Sequence, residues 1–228
     1  GGLSIFDISD PTAPVVVSNT VLPSTGNGIH VSGQYAYIAI NTNSDDELEI
    51  YDISDPASPV KTGGYDGAGK ATIYVSGRYA YVGNSSEVGG AEGLQIFDVS
   101  NVTNITKVSS ISTDDMVAEV EVSGRYLYVG TRGSDDDIEI YDISDASNPS
   151  KVGQADTTGD VKDLTVVGKY VYVVSSGDTL DVFDVGGIES QSALIHSLEA
   201  GKANVQNDLT VSGHTETDSL NIGAGGLL

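Results

Sequence analysis

Two short stretches carry enough oxygen donors to suggest cation chemistry. In "NTNSDDE" (41–47), Asn41, Asn43, Asp45 and Glu47 fall at alternate positions, with Asp46 between them; in "RGSDDD" (132–137), Arg132 precedes Asp135, Asp136 and Asp137. Calcium takes roughly six to eight oxygens, so an alternating run of four would supply part of a shell. The glycine and the distal glutamate of an EF-hand loop are missing. Calcium is therefore a candidate at Asn41, Asn43, Asp45 and Glu47, beside the plainer reading of a solvated acidic loop.

A second acidic signal is spread along the chain. "SIFDISDP" (4–11), "EIYDISDP" (49–56), "QIFDVSNV" (95–102), "EIYDISDA" (139–146) and "DVFDVGGI" (181–188) place an aspartate at 7, 52, 98, 142 and 184. Five such acids could be five ion sites. Nothing at this phrase converges several oxygens on one point, however. Asp and Ser accept backbone N–H bonds in turns, and Pro fixes the bend, so the phrase reads as the end of a strand and the turn after it.

Other chemistry is thin. "GYDGAGKA" (64–71) approaches a phosphate-binding loop but has Ala71 where Ser or Thr must hold magnesium, and no helix follows. "SPVK" (58–61) matches Ser-x-x-Lys without its companion motifs. His30, His196 and His214 have no metal-ligand spacing, and no serine sits in a nucleophile elbow. Arg78, Arg125 and Lys169 are read as partners of nearby aspartates.

The chain's 33 acidic and 10 basic residues give a net charge of −23, which argues against nucleic acid, whose phosphates need clustered Lys and Arg. No apolar run is long enough to cross a bilayer as a helix. With no cysteine there is neither a disulfide nor a thiolate metal site. The first residues, "GGLSIFD", fall in mid-repeat, so the chain is expected to be a segment of a longer protein.

The elements that position these residues follow from the repeat. The recurrent aspartates are spaced by 45, 46, 44 and 42 residues, and the glycines of "VSGQY", "VSGRY", "VSGRY" and "VVGKY" (Gly33, Gly77, Gly124, Gly168) by 44, 47 and 44. A unit near 44 residues without helical periodicity predicts an all-β chain built as a β-propeller of four-stranded blades, four to five of them here. Within each unit an inner strand meets the glycine turn, and a Tyr-x-Tyr strand follows. The aspartate phrase then forms the third strand, and a weaker fourth strand completes the blade. Tyrosines two apart share one face while Ala36, Ala80, Leu127 and Val171 take the other, a division suited to packing between blades.

"RYAYVG…GLQIFDVS" (78–100) and "QYAYIA…LEIYDISDP" (34–56) resemble the LVIVD-repeat β-propellers, over residues 2–185. The resemblance implies a secreted or bacterial cell-surface protein and no single activity.

The blades are expected over 1–190, followed by a connector and short β-repeat over 191–228. Leu198, Leu209 and Leu220 recur every 11 residues there, resembling the stalk of tail-fibre-like proteins and implying a homotrimer. Alternatively "DLTVSG" (208–213) repeats "DLTVVG" (163–168) in phase and closes the propeller. The loss of aromatics after Phe183 favours the stalk.

Loop variation locates the expected function. The glycine and aspartate turns are uniform, whereas the loops before the inner strand and between strands two and three differ in length and charge. A non-enzymatic binding or structural module is expected, recognising protein or glycan through Asn41, Asn43, Asp45, Asp46, Glu47, Arg132, Asp135, Asp136 and Asp137, without a cofactor unless calcium binds. The alternative is a hydrolase or lyase at the propeller mouth, using His30, Glu119, Glu121, Lys162 and Asp163.

Overall fold

The computed structural model describes residues 1–41, 46–67, 72–84, 93–133 and 137–185. The chain divides into two units, Gly1–Gly187 and Ile188–Leu228. The connector and β-repeat read at 191–228, including His196 and His214, lie outside the described residues.

Every described element is a strand. A two-stranded sheet comes first, β1 (Gly2–Asp7) and β2 (Val15–Val21). The first complete blade is β3 (Thr25–Ser32), β4 (Tyr35–Asn41), β5 (Leu48–Asp52) and β6 (Val60–Tyr65). The second is β7 (Thr72–Ser76), β8 (Tyr79–Gly83), β9 (Leu94–Asp98) and β10 (Thr106–Ile111). The third is β11 (Met116–Ser123), β12 (Tyr126–Arg132), β13 (Ile138–Asp142) and β14 (Ser150–Ala155). Three strands of a fourth follow, β15 (Val161–Val167), β16 (Tyr170–Ser175) and β17 (Leu180–Asp184). All pairings are antiparallel, and neighbouring blades touch through their inner strands, β3 to β7, β7 to β11 and β11 to β15. This is the expected β-propeller architecture.

Local chemistry explains the repeat. Gly33, Gly77, Gly124 and Gly168 have φ of +60°, +59°, +62° and +63°, which glycine adopts without the Cβ clash of other residues. Glycine at the first central position is the signature of the tight type II′ hairpin, and here it joins the inner strand to the tyrosine strand. In every complete blade the third strand meets the fourth with a register shift beside its aromatic, as at Ile50/Tyr51 and Ile140/Tyr141. Such bulges add the local twist a blade needs.

The core lies between blades. Tyr37, Leu48 and Ile50 of the first complete blade pack on Ile73, Ala80, Val82 and Phe97 of the second. Tyr81, Leu94 and Ile96 of the second meet Val117, Leu127, Val129 and Tyr141 of the third. One face of each blade presents tyrosine and the third strand's aliphatics. The facing surface carries the third strand's aromatic beside the aliphatic or small residues of the second strand, as with Ala80 and Val82 beside Phe97 and Leu127 and Val129 beside Tyr141.

Candidate functional site

The strand ends sort the loops into two sets. At one end of the blades, the first and second strands are joined by two residues in every case, at 33–34, 77–78, 124–125 and 168–169. The third and fourth strands are joined by seven in every case, at 8–14, 53–59, 99–105 and 143–149. At the other end, the second and third strands are separated by six, ten, five and four residues, at 42–47, 84–93, 133–137 and 176–179. The inter-blade connections there also vary, spanning 22–24, 66–71, 112–115 and 156–160.

The uniform end uses its acids internally. Asp7, Asp52, Asp98 and Asp142 each accept the backbone N–H two residues on, from Ser9, Ser54, Ser100 and Ser144, at 2.8–2.9 Å. A second such turn follows three residues later, where Asp10, Asp55, Asn101 and Asp145 accept from Thr12, Ala57, Thr103 and Ser147. The residue after the turn glycine reaches the strand-ending aspartate of its blade: Gln34 to Asp52 at 3.3 Å, Arg78 to Asp98, Arg125 to Asp142 at 3.3 Å, and Lys169 to Asp184 at 2.6 Å. Each of these three cations also lies about 5 Å from the ring of the following tyrosine. In Asp52, Asp98 and Asp142 one carboxylate oxygen thus caps the backbone while the other holds a side chain. These bonds depress all four capping aspartates; for Asp98 the leading cause is Arg78, followed by Ser100.

A second set of acids is buried between blades. Glu49 accepts from the Tyr51 hydroxyl at 2.9 Å and Lys61 at 2.5 Å. Glu139 accepts from the Tyr141 hydroxyl at 2.8 Å, Lys151 at 3.1 Å and the Asp114 amide at 3.1 Å. The two glutamates are 1% and 0% exposed, and desolvation raises the pKa of Glu139. Where the aromatic is Phe97, which offers no hydroxyl, the same position holds Gln95, whose Nε2 donates to the Gly67 carbonyl at 3.0 Å. Sequence reading missed this triad, although Glu accompanies Tyr and other residues accompany Phe in the quoted phrases.

The variable end holds the candidate contact residues. Asn41 ends β4, exposed, and its carbonyl accepts from Ser24 at 2.7 Å. Asp46 pairs with Lys61 at 3.1 Å. Glu47 and Asp137 are 5% and 3% exposed, and each ties its loop to the next inter-blade connection. Glu47 accepts from the Gly67 amide at 2.6 Å, and Asp137 accepts from the Thr157 amide at 2.8 Å and hydroxyl at 3.0 Å. The buried Oδ1 of Asp137 has no hydrogen-bond partner among the described residues. Arg132 is exposed at the end of β12. Asn43, Asp45, Asp135 and Asp136 lie outside the described residues, as do Lys70 and Ala71. Glu47 and Asp137 therefore position the loops, while Asn41 and Arg132 stand on the surface. Among the described residues no three His, Asp or Glu side chains gather as a metal site.

Three of the mouth residues, His30, Glu119 and Glu121, are engaged across blades. His30 packs against Tyr74 with ring centroids 4.4 Å apart and the ring planes tilted by 55°. Glu119 accepts from the Thr72 hydroxyl at 2.8 Å, Glu121 from the Val166 amide at 3.1 Å, and Lys162 lies 3.5 Å from Asp160. His30, Glu119 and Glu121 thus link neighbouring inner strands, while Lys162 pairs locally with Asp160 and the Asp163 and Glu121 charges bear on Glu119.

The LVIVD repeat matches this chain five times, over residues 1–21, 25–67, 68–113, 115–157 and 158–197. No curated protein matches it. Among solved structures, the computationally designed Ika4 protein is similar with a TM-score of 0.55 at 12% identity, over 73% of this chain and 94% of that one. A functionally unknown protein from Desulfotomaculum acetoxidans DSM 771 gives 0.57 at 16% identity, over 80% of this chain and 62% of that one. A chain of the Mitotic Checkpoint Complex gives 0.63 at 12% identity, over 82% of this chain and 62% of that one. These likenesses concern the fold; in the last two, this chain spans about three-fifths of the other's length. No described helix is long and apolar enough to cross a membrane.

Proposed function

The chain belongs to the LVIVD repeat family, and from that premise together with the loop geometry we propose that it is a non-enzymatic recognition module of the cell surface or extracellular space. The blades form the rigid frame, and the variable end binds a protein partner. The observation that carries this reading is the contrast between the ends. One end keeps loops of two and seven residues in every described unit, while the other varies from four to ten between the second and third strands. Variation confined to one face of a rigid scaffold is where recognition is built.

Charge indicates the partner's chemistry. The loops of the variable end carry fourteen Asp and Glu residues against a single lysine, Lys70, whereas those of the uniform end carry both signs evenly. An acidic face attracts a basic protein surface and binds it more weakly as salt rises. No loop of this end contains an aromatic residue on which a sugar ring could stack, which favours protein over glycan. In this reading residues 191–228 form a trimeric stalk, so that three recognition faces act together and multiply a modest affinity.

The test is to probe arrays of proteins and glycans with the labelled 228-residue chain, alongside chromogenic ester and glycoside substrates. Saturable, salt-sensitive binding to basic proteins without turnover is expected. Substrate turnover, or binding confined to neutral glycans, would overturn the reading.

A further inference from the structure

The turn between the third and fourth strands keeps one length in every described unit, but its chemistry departs in one of them. It reads "ISDPTAP" at 8–14, "ISDPASP" at 53–59, "VSNVTNI" at 99–105 and "ISDASNP" at 143–149. The second complete blade has Asn101 where the others cap the turn with Asp10, Asp55 and Asp145. Its turn also lacks proline: Val102 stands in the place of Pro11 and Pro56, and Ile105 in the place of Pro14, Pro59 and Pro149. With Thr103 and Thr106 these changes write Asn-Val-Thr and Asn-Ile-Thr, acceptor motifs for an N-linked glycan that a central proline would forbid. Asn148-Pro149-Ser150 of the third blade is such a forbidden triplet.

Asn101 and Thr103 are both exposed. Asn101 Oδ1 accepts from the Thr103 amide at 3.2 Å and the Thr103 hydroxyl at 2.9 Å, so the hydroxyl that the motif requires is already gathered on its asparagine. Both bonds fall on the carbonyl oxygen of the carboxamide. Nδ2, the atom that takes a sugar, makes no hydrogen bond among the described residues. A sugar on Nδ2 therefore leaves the cap of the turn intact. The Asn101 backbone carbonyl also accepts the Asn104 amide at 2.9 Å, which closes the turn. The neighbouring triplet is less suited: Ile105 is buried and Thr106 pairs with Asp98 at the start of β10. A third motif, Asn84-Ser85-Ser86, runs outside the described residues.

We propose that Asn101 is the acceptor of an N-linked glycan at the uniform end of the blades. The step joins Nδ2 to the anomeric carbon of a glycosyl phosphate or pyrophosphate donor. It breaks the bond from that carbon to the phosphate oxygen and releases one amide proton, with no oxidant or reductant involved. Such a modification belongs to the surface of an exported protein, so the inference rests on the extracellular reading proposed above. It also deepens that reading. The sugar sits at the end opposite the variable loops, over turns whose acids are used internally, and leaves the recognition face clear.

Trypsin cuts after Arg78 and Lys107, so one peptide, 79–107, carries all three motifs. Glycopeptide mass spectrometry is applied to this peptide from two samples. One is the chain recovered from the surface of the cells that make it; the other is the 228-residue chain secreted by a glycosylating eukaryotic host behind an added signal peptide. A glycan localised to Asn101 is expected in both. Asn101→Asp restores the cap of the other units and should lose the glycan with an unchanged melting temperature; Thr103→Ala should lose it as well. Asp145→Asn writes Asn-Ala-Ser at the equivalent turn, where the Ser147 amide and hydroxyl make the same two bonds, and should gain a glycan. A bare Asn101 in either sample, or a glycan confined to Asn84 or Asn104, overturns the proposal. A chain found only inside its source cells, yet glycosylated at Asn101 when secreted by the host, upholds the acceptor site and overturns the extracellular reading.

Discussion

The hydroxyl of Tyr141 donates to the carboxylate of Glu139 at 2.8 Å, with both side chains buried in the wall between two blades. Tyr51 and Glu49 repeat the arrangement at 2.9 Å. A buried carboxylate needs donors, and the tyrosine supplies one that phenylalanine cannot. Gln95 beside Phe97 shows the neutral alternative within the same protein.

Double-mutant analysis of this pair follows directly. Tyr141→Phe alone removes a donor from a buried carboxylate and should cost about 1–3 kcal/mol in urea unfolding. Adding Glu139→Gln recreates the second complete blade's combination and should recover part of that loss, with a coupling of about 1 kcal/mol. Additive losses would show that the hydroxyl and carboxylate do not act as a unit.

The capping aspartates make stability depend on acid. Asp7, Asp52, Asp98 and Asp142 have pKa values lowered in the fold, by bonds led by Ser9, Ser54, Arg78 and Ser144 respectively. A lowered carboxylate contributes stability above its unfolded pKa and loses it as pH falls through the folded value. Glu119 and Glu139, raised by burial, contribute in the opposite sense and soften the decline. The melting temperature should therefore fall as pH drops below about 4. Asp142→Asn keeps an oxygen for the Ser144 amide and should show a shallower fall; an unchanged slope would remove the charge from the account.

Gly124 tests the turn. Its φ is +62° and no atom lies within 4 Å of where a Cβ would stand, so substitution strains the backbone alone. Gly124→Ala should cost about 1–2 kcal/mol, and Gly124→Asn less, because Asn tolerates this region better. Equal stability of all three would contradict the turn assignment.

The fold was legible because two anchors, the turn glycine and the strand-ending aspartate, recur with one period and each has a local mechanism. The aspartate phrase could be read as a turn from Asp, Ser and Pro alone. The candidate site was legible only in outline. Loop composition marked the variable end, but alternation along "NTNSDDE" did not reveal that Glu47 turns inward to the Gly67 amide. Asp137 likewise reaches Thr157, twenty residues on. Such ties depend on which inter-blade connection lies beside each loop, a tertiary fact that local spacing does not encode. Glu139 was overlooked because a single glutamate in a strand looks solvent-facing until a second blade covers it.

The most direct measurement compares partner affinity for two variants with matched melting temperatures. In one, residues 42–45 and 133–136 of the variable end are replaced by Gly-Ser segments, sparing the buried Glu47 and Asp137. In the other, Gln34, Arg78 and Arg125 of the uniform end are replaced by alanine. Binding lost by at least tenfold in the first and retained in the second is the predicted result. Binding retained in the first and lost in the second would place recognition on the opposite face and contradict the proposed function.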